Sequence, residues 1–266
     1  MTQPPLAPVA VVTGAAGNLG PVWVGGLLRA GHRVAALTLP DTEGDPALTA
    51  LVEEHGSSLD VIPADVTSRQ DLEAAADRVT QRWDVPSVLV NNAGVDAPPA
   101  PGRGTLLEDM PADGFRRVLE VNLIGAFQVM QVFGSRMFGA GRGSIVNVGS
   151  LYAGVSPDQR MYDHIPTDPP FLKPPAYGAS KAGLVNLTRY FATHLAGGGV
   201  RVNALSPGGV AGGQDPEFLA KFSSRVPLGR LADPHELIGP LLFLASDASS
   251  YVTGIELKVD GGFTAW

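Results

Sequence analysis

Apolar residues along this chain come in short unbroken blocks, and between the blocks they return at the spacing of one helical face. Val9-Ala-Val-Val-Thr13 is the first block, and its continuity predicts a strand covered on both faces. The stretch after it sets Val24, Leu27 and Leu28 on one side and stops at Gly31, which predicts an amphipathic helix. The alternation then repeats. Strands are expected at 33–37, 59–62, 88–90, 144–148, 200–204 and 255–259. Helices are expected at 45–56, 68–82, about 108 to 138, 177 to about 196, 215–224 and 233–246. Strand and helix in turn at this spacing build βαβ units. The predicted fold is therefore α/β, a doubly wound parallel sheet of about seven strands with helices on both faces. No internal repeat and no long linker divides residues 1–266, so one domain is expected.

Composition narrows the function. With 44% apolar residues in 266, the chain can bury a large core. A net charge of −7 and the lack of any Lys/Arg run argue against a nucleic-acid surface. There is no cysteine, which excludes disulfides, thiol catalysis and cysteine-ligated metals. His164 has no companion at metal-ligand spacing, so no metal is expected. The start, Met1-Thr-Gln-Pro-Pro-Leu6, lacks the basic and apolar regions of a secretion signal. No apolar run approaches the roughly 20 residues of a membrane span. A soluble, cytoplasmic protein is expected.

Two stretches carry candidate chemistry. Gly14-Ala-Ala-Gly17-Asn18-Leu19-Gly20 lies between the first strand and the first helix. Glycines there let a backbone approach a pyrophosphate, and the helix N-terminus offers free N–H groups and partial positive charge. The second stretch runs from Gly143 to Lys181. Its strand ends at Gly149-Ser150, and its helix begins at Tyr177-Gly-Ala-Ser-Lys181. Tyr177 and Lys181 are four apart and share a helical face. A phenol titrates at roughly 10, and a nearby ammonium is expected to bring it closer to working pH. A hydroxyl at a strand end facing a Tyr–Lys pair is a proton-transfer constellation.

Together, Thr13-Gly14 with Gly17 and Gly20, Asn91-Asn92-Ala93-Gly94, Asn122, Ser150, Tyr177 with Lys181, Ser206-Pro207-Gly208 and Tyr251-Val-Thr-Gly254 resemble the short-chain dehydrogenase/reductase family. The likeness spans residues 8–263, in the family's order. It implies a Rossmann-type fold and an NAD(P)-dependent oxidoreductase interconverting a secondary alcohol and a ketone. Asn122, Ser150, Tyr177 and Lys181 would be the catalytic set. Tyr177 would be the general acid or base, Ser150 would hydrogen-bond the substrate oxygen, and Lys181 would hold the nicotinamide ribose. Gly14, Gly17, Asn18, Leu19, Gly20, Thr38, Asp65, Val66, Asn91, Ala93, Gly94, Pro207 and Gly208 would line the cofactor with Tyr177 and Lys181. The resemblance also implies a homotetramer or homodimer. Two other readings of the same residues stay open: a dehydratase or epimerase with retained cofactor, and a catalytically silent nicotinamide-binding protein.

The chain departs from the family pattern twice. The end of the second strand is Leu37-Thr38-Leu39-Pro40-Asp41, where NAD-preferring members usually carry an acidic residue. Asp41 lies beyond Pro40, and neither Ala16 nor Leu39 is the cation that an NADP phosphate would want. Both cofactors stay open, with NAD slightly favoured. Ser150 and Tyr177 are 27 residues apart, which leaves an inserted loop at 151–176. The loop is rich in proline and is expected to be stiff and non-helical. It either walls the substrate mouth or packs on a neighbouring subunit. Asp158 and Arg160, with Ser150, Tyr177 and Gly209, are the candidate substrate contacts. These polar groups suggest a sugar-like, polyol or sugar-acid substrate.

Overall fold

The computed structural model describes residues 7–40, 45–96 and 104–266. Asp41 lies outside them. Seven strands form one sheet in the order β3-β2-β1-β4-β5-β6-β7, with every neighbouring pair parallel. In chain order the elements are β1 (Val9–Thr13), α1 (Gly20–Arg29), β2 (Arg33–Thr38), α2 (Pro46–His55), β3 (Leu59–Pro63), α3 (Arg69–Arg82) and β4 (Val88–Asn91). There follow α4 (Ala112–Leu119), α5 (Ala126–Ala140), β5 (Gly143–Val148), α6 (Ala176–Leu195), β6 (Val200–Pro207), α7 (Pro216–Ser223), α8 (Ile238–Ala245) and β7 (Glu256–Val259).

Alternation along each strand sends side chains to two cores. Val9, Val11, Leu89, Ile145 and Val202 face Leu72 and Val79 of α3, Phe133 and Met137 of α5, and Leu184 and Phe191 of α6. Ala10, Val12, Val90, Val146 and Leu205 face Trp23 and Leu27 of α1, Leu48 of α2, and Leu241 and Leu244 of α8. Both faces are covered, which is why the strands read as continuous apolar blocks. The sheet leaves β1 toward β2 and β3, then restarts on the other side at β4. That reversal opens a crevice at the carboxyl ends of β1 and β4, where the predicted site residues gather.

The structure corrects two expectations. The helix predicted from about 108 begins at Ala112 and is not uniform, because Glu120–Gly125 winds as a π-helical turn between α4 and α5. Ala112–Ala140 is long and apolar enough by length and composition alone to cross a membrane. It packs instead as a core helix, with Val129, Met130, Phe133 and Met137 fully buried. The insert is also not wholly non-helical. Leu151–Ala153 and Gln159–Tyr162 each form a turn of 3-10 helix. Its Met161 and Tyr162 join Leu151, Phe222, Val226, Leu231 and Phe263 in a third apolar cluster outside the sheet.

Candidate active site

Thr13 ends β1 and is completely buried. Its hydroxyl accepts the backbone N–H groups of Asn92 and Ala93, both at 3.0 Å. Gly14 follows in the left-handed region, at φ +62°, and a Cβ there would lie 2.7 Å from the Ala93 backbone. Only glycine fits both demands. The turn closes through Gly17 N–H donating to Gly14 O at 3.0 Å and Gly20 N–H donating to Gly17 O at 2.8 Å. Gly17 and Asn18 are exposed on its outer edge, and Leu19 is the N-cap of α1. Asn92 pins the turn from β4. Its Nδ2 donates to the Thr13 and Gly14 carbonyls at 3.0 Å each, and its Oδ1 accepts the indole N–H of buried Trp23 at 2.8 Å.

The flanking cofactor candidates sit along the same crevice. Thr38 ends β2, with its carbonyl accepting Ala64 N–H at 2.7 Å. One oxygen of Asp65 accepts both the N–H and hydroxyl of Thr67, at 2.8 Å each. Val66 is buried against Gly125. Asn91 turns its side chain away from the crevice. It donates to the Ala126 carbonyl and to Asn147 Oδ1 at 3.1 Å each, and Asn147 in turn donates to Thr188 at 2.9 Å. Asn91 therefore ties the strand ends to α5 and α6. Pro207 ends β6, and Gly208 lies so close to Asp260 that a Cβ would come within 2.7 Å of its Cα. Gly209 abuts Phe222 and Leu231.

Ser150, Tyr177, Lys181 and Asn122 come together beside Gly94. The Ser150 hydroxyl lies within hydrogen-bonding reach of the Tyr177 phenol. Lys181 is buried, donates to the Val148 carbonyl at 2.7 Å and lies 5.6 Å from the Tyr177 ring centre. Asn122, in the π turn, clamps Val95 from both sides. Its Oδ1 accepts Val95 N–H at 2.7 Å and its Nδ2 donates to Val95 O at 2.9 Å. The same Nδ2 reaches Ser180 Oγ at 3.1 Å, and that hydroxyl donates to the Tyr177 carbonyl at 2.7 Å. A Cβ on Gly94 would sit 3.4 Å from Asn122 Oδ1 and 3.7 Å from Lys181 Nζ. A side chain at Gly94 would thus start in contact with two of the four groups.

Burial pushes the Tyr177 phenol up to about 12, with the charge of Asp96 adding to the effect and the hydrogen bond from Ser150 opposing it. Burial brings the Lys181 ammonium down to about 8, with Asp96 opposing. The expectation that Lys181 draws the phenol toward neutral pH is overturned in this environment. Desolvation of a phenolate outweighs an ammonium whose hydrogen bond goes to Val148.

The insert folds onto α7. Asp158 accepts Arg160 Nε at 2.9 Å and Arg225 at 2.6 Å, and Arg160 is otherwise open to solvent, with its side chain 84% exposed. The two charged substrate candidates are therefore paired with each other. Tyr162 packs on Phe171 and Phe218, with ring centres 5.4 and 5.6 Å away. Asp163, His164 and Glu217 bring ligand-type atoms within 4.8 Å of one another. The Lys221 ammonium occupies their midst, bonded to Asp163 and Glu217 and 3.3 Å from His164 Nδ1.

Two groups at this site carry little signal in the sequence. Asn92 stands out only through its adjacency to Asn91. The pair of Lys173 with Asp96, joined across 77 residues, had no local signal at all.

Known proteins bear on this geometry. Residues 8–163 match the family model described as short chain dehydrogenase, and residues 169–264 match one described as Enoyl-(Acyl carrier protein) reductase. Cis-4-hydroxycyclohexanecarboxylate dehydrogenase of Sinomonas cyclohexanicum is 36% identical, over 97% of this chain and 96% of its own. Galactitol 2-dehydrogenase (L-tagatose-forming) of Cereibacter sphaeroides is 37% identical over 97% and 95%, and D-threitol dehydrogenase of Mycolicibacterium smegmatis is 36% identical over 96% and 92%. A crystal structure of a short chain dehydrogenase from Leptospira borgpetersenii with bound NAD+ superposes with a TM-score of 0.82 at 31% identity, covering 97% of this chain and 93% of that one.

Proposed function

This chain belongs to the short-chain dehydrogenase family and is an NAD(P)-dependent enzyme acting on CH–OH groups, and we propose that it interconverts a secondary alcohol and a ketone on a hydroxyl-rich substrate of the polyol, sugar or sugar-acid class. One observation carries the reading: the Tyr177–Ser150 hydroxyl pair at the carboxyl end of β5, with buried Lys181 beside the same ring. The relatives that act on galactitol and threitol support the substrate class.

The residues fit a dinucleotide. The Gly14–Gly20 turn has no side chain on its outer edge at Gly17, and the exposed Gly94 puts no side chain over Asn122 and Lys181. Gly14, Gly17, Asn18, Leu19 and Gly20 would hold the pyrophosphate at the start of α1. Thr38, Asp65 and Val66 would flank the adenosine end, Ala93 and Gly94 the middle, and Pro207 and Gly208 the nicotinamide. Asn91 would act through the strand ends, since its side chain is spent on Asn147 and Ala126. The uncharged pair Thr38 and Leu39 favours NAD over NADP. When bound, the nicotinamide supplies or accepts the hydride.

The protein's part is proton transfer and orientation. Tyr177, held protonated by burial, donates its proton to the ketone oxygen in reduction and takes it back in oxidation. Ser150 hydrogen-bonds that oxygen and stabilises the charge that develops on it. Lys181, anchored on the Val148 carbonyl, would hold the ribose end of the cofactor. Asn122 fixes Val95 and, through Ser180, the start of α6 on which Tyr177 rides. The insert at 151–176 walls the mouth from the α7 side.

The reading extends to a cytoplasmic location and to a homotetramer or homodimer. The oligomer's support is a groove of about 380 Å³ between the π turn, the start of α5 and α6, lined by Leu123, Ile124, Phe127, Leu187 and Tyr190.

The test is nicotinamide absorbance at 340 nm during turnover of galactitol, D-threitol, sugar acids and simple alcohols with NAD and NADP. Signal with a polyol that disappears in Tyr177→Phe supports the proposal. Signal only with simple hydrophobic alcohols rejects the substrate class. Cofactor binding without turnover of any compound rejects the redox assignment.

A further inference from the structure

Lys173 is the last charged residue of the insert before α6, and its side chain is only 5% exposed. Its ammonium is ion-paired with Asp96, two residues past Gly94. Its backbone is gripped on both sides by one amide: Gln159 Oε1 accepts Lys173 N–H at 2.9 Å, and Gln159 Nε2 donates to Lys173 O at 3.3 Å. Gln159 itself sits in the 3-10 turn capped by Asp158, which Arg225 holds from beyond α7. The insert therefore delivers this ammonium to a set location. That location is 5.9 Å from the Tyr177 ring centre, against 5.6 Å for Lys181 on the same ring.

A buried ion pair is a weak device for stability, because desolvation offsets most of the attraction. It is a strong device for recognition. Lysine offers only donors and a carboxylate only acceptors. Side by side they satisfy a hydroxyl in both senses: its oxygen accepts from the ammonium and its hydrogen goes to the carboxylate, each a charge-assisted bond. The Asp96 side chain is 38% exposed, so the pair is not sealed in the core. In the proposed function Ser150 and Tyr177 would be taken up by the oxygen on the reacting carbon, which leaves a second hydroxyl to other groups.

We propose that Lys173 and Asp96 form a specificity-determining pair that receives a second hydroxyl of the substrate, next to the reacting carbon, so that the enzyme selects vicinally hydroxylated alcohols over simple secondary alcohols. The inference rests on Tyr177 and Ser150 being the reaction centre, as proposed above. It gives the insert a chemical purpose, which is to carry Lys173 to Asp96 and hold it there.

The experiment compares kcat/KM for D-threitol and galactitol with that for butan-2-ol and cyclohexanol, in the wild type, Lys173→Met and Asp96→Asn. Each full-length variant is saturated with cofactor and checked by thermal melting. The polyol-to-simple-alcohol ratio of kcat/KM is expected to fall about 10- to 100-fold in both variants, mainly through KM, because a single hydrogen bond to a charged group is worth that order. Equal loss on both substrate classes would make the pair structural and overturn the inference. So would an unchanged ratio in both variants while the wild type still prefers polyols, and in that case the proposed function stands. A gain on cis-4-hydroxycyclohexanecarboxylate in Asp96→Asn, without loss on polyols, would show a carboxylate at Lys173 and also overturn it. A wild type that turns over no alcohol with either cofactor rejects the proposed function, and this inference with it.

Discussion

Lys181 lies 5.6 Å from the centre of the Tyr177 ring, yet its hydrogen bond goes to the Val148 carbonyl, 2.7 Å away. The ammonium is thereby fixed to the end of β5 and not to the phenol. Burial then governs both groups, raising Tyr177 to about 12 and lowering Lys181 to about 8. The phenol is protonated throughout the neutral range. Ketone reduction, which consumes its proton, is expected to hold a steady kcat from pH 6 to 8. Alcohol oxidation, which needs a proton acceptor, is expected to rise with pH across that range and beyond. Tyr177→Phe should lower both directions by about 100- to 10,000-fold with an unchanged melting temperature at pH 7. In stability terms the neutral phenol favours the folded state, so its contribution is whole below pH 10 and lost as pH rises through about 12. Steady-state rates against pH in each direction check the first point, and thermal melts above pH 9 check the second.

Asn122→Ala should act on structure as well as rate. It leaves the Val95 N–H without its acceptor and frees Ser180 from its donor. A buried donor left unpaired costs about 1–3 kcal/mol. Chemical denaturation should show a loss of that size, and kcat should fall more than KM changes. An unaltered kcat with lowered stability would confine Asn122 to a packing role.

Asn92→Ala should loosen the glycine turn while leaving the proton-transfer groups intact. It removes two donors to the Thr13 and Gly14 carbonyls and the acceptor for the buried Trp23 indole. Cofactor affinity is expected to weaken about tenfold, equivalent to 1.4 kcal/mol. Calorimetric titration of NAD reads this directly, and the reacting substrate's KM at saturating NAD should change little.

Asp158 is held down at about 2, chiefly by its hydrogen bond to Arg160. A depressed carboxyl contributes stability that is complete above its ordinary value of 3.8 and lost as pH falls through about 2. Asp158→Asn should therefore melt lower than the wild type at pH 6 and equally near pH 2. Limited proteolysis at pH 6 should cut the variant first within 151–176, because the clasp to Arg225 is gone.

The sheet and most of the site were legible in the chain because each signal was local. Strands buried on both faces have to be apolar throughout, so Val9–Thr13 and Val88–Val90 announced themselves. Gly14 answers to its own backbone angle, and Tyr177 and Lys181 share a face through helix geometry alone. What the sequence could not state was decided by partners far along the chain. The π turn at Asn122 exists where Val95 and Ser180 draw on its amide, and helical spacing does not register it. Asp158 and Arg160 read as substrate ligands until Arg225, 67 residues from Asp158, took up the charge. Lys173 read as one more insert residue until the fold set it against Asp96 and the Tyr177 ring. The same holds for the pKa of Tyr177. Spacing to Lys181 predicts a lowered value, but desolvation depends on everything packed around the phenol, and only the tertiary structure assembles that environment.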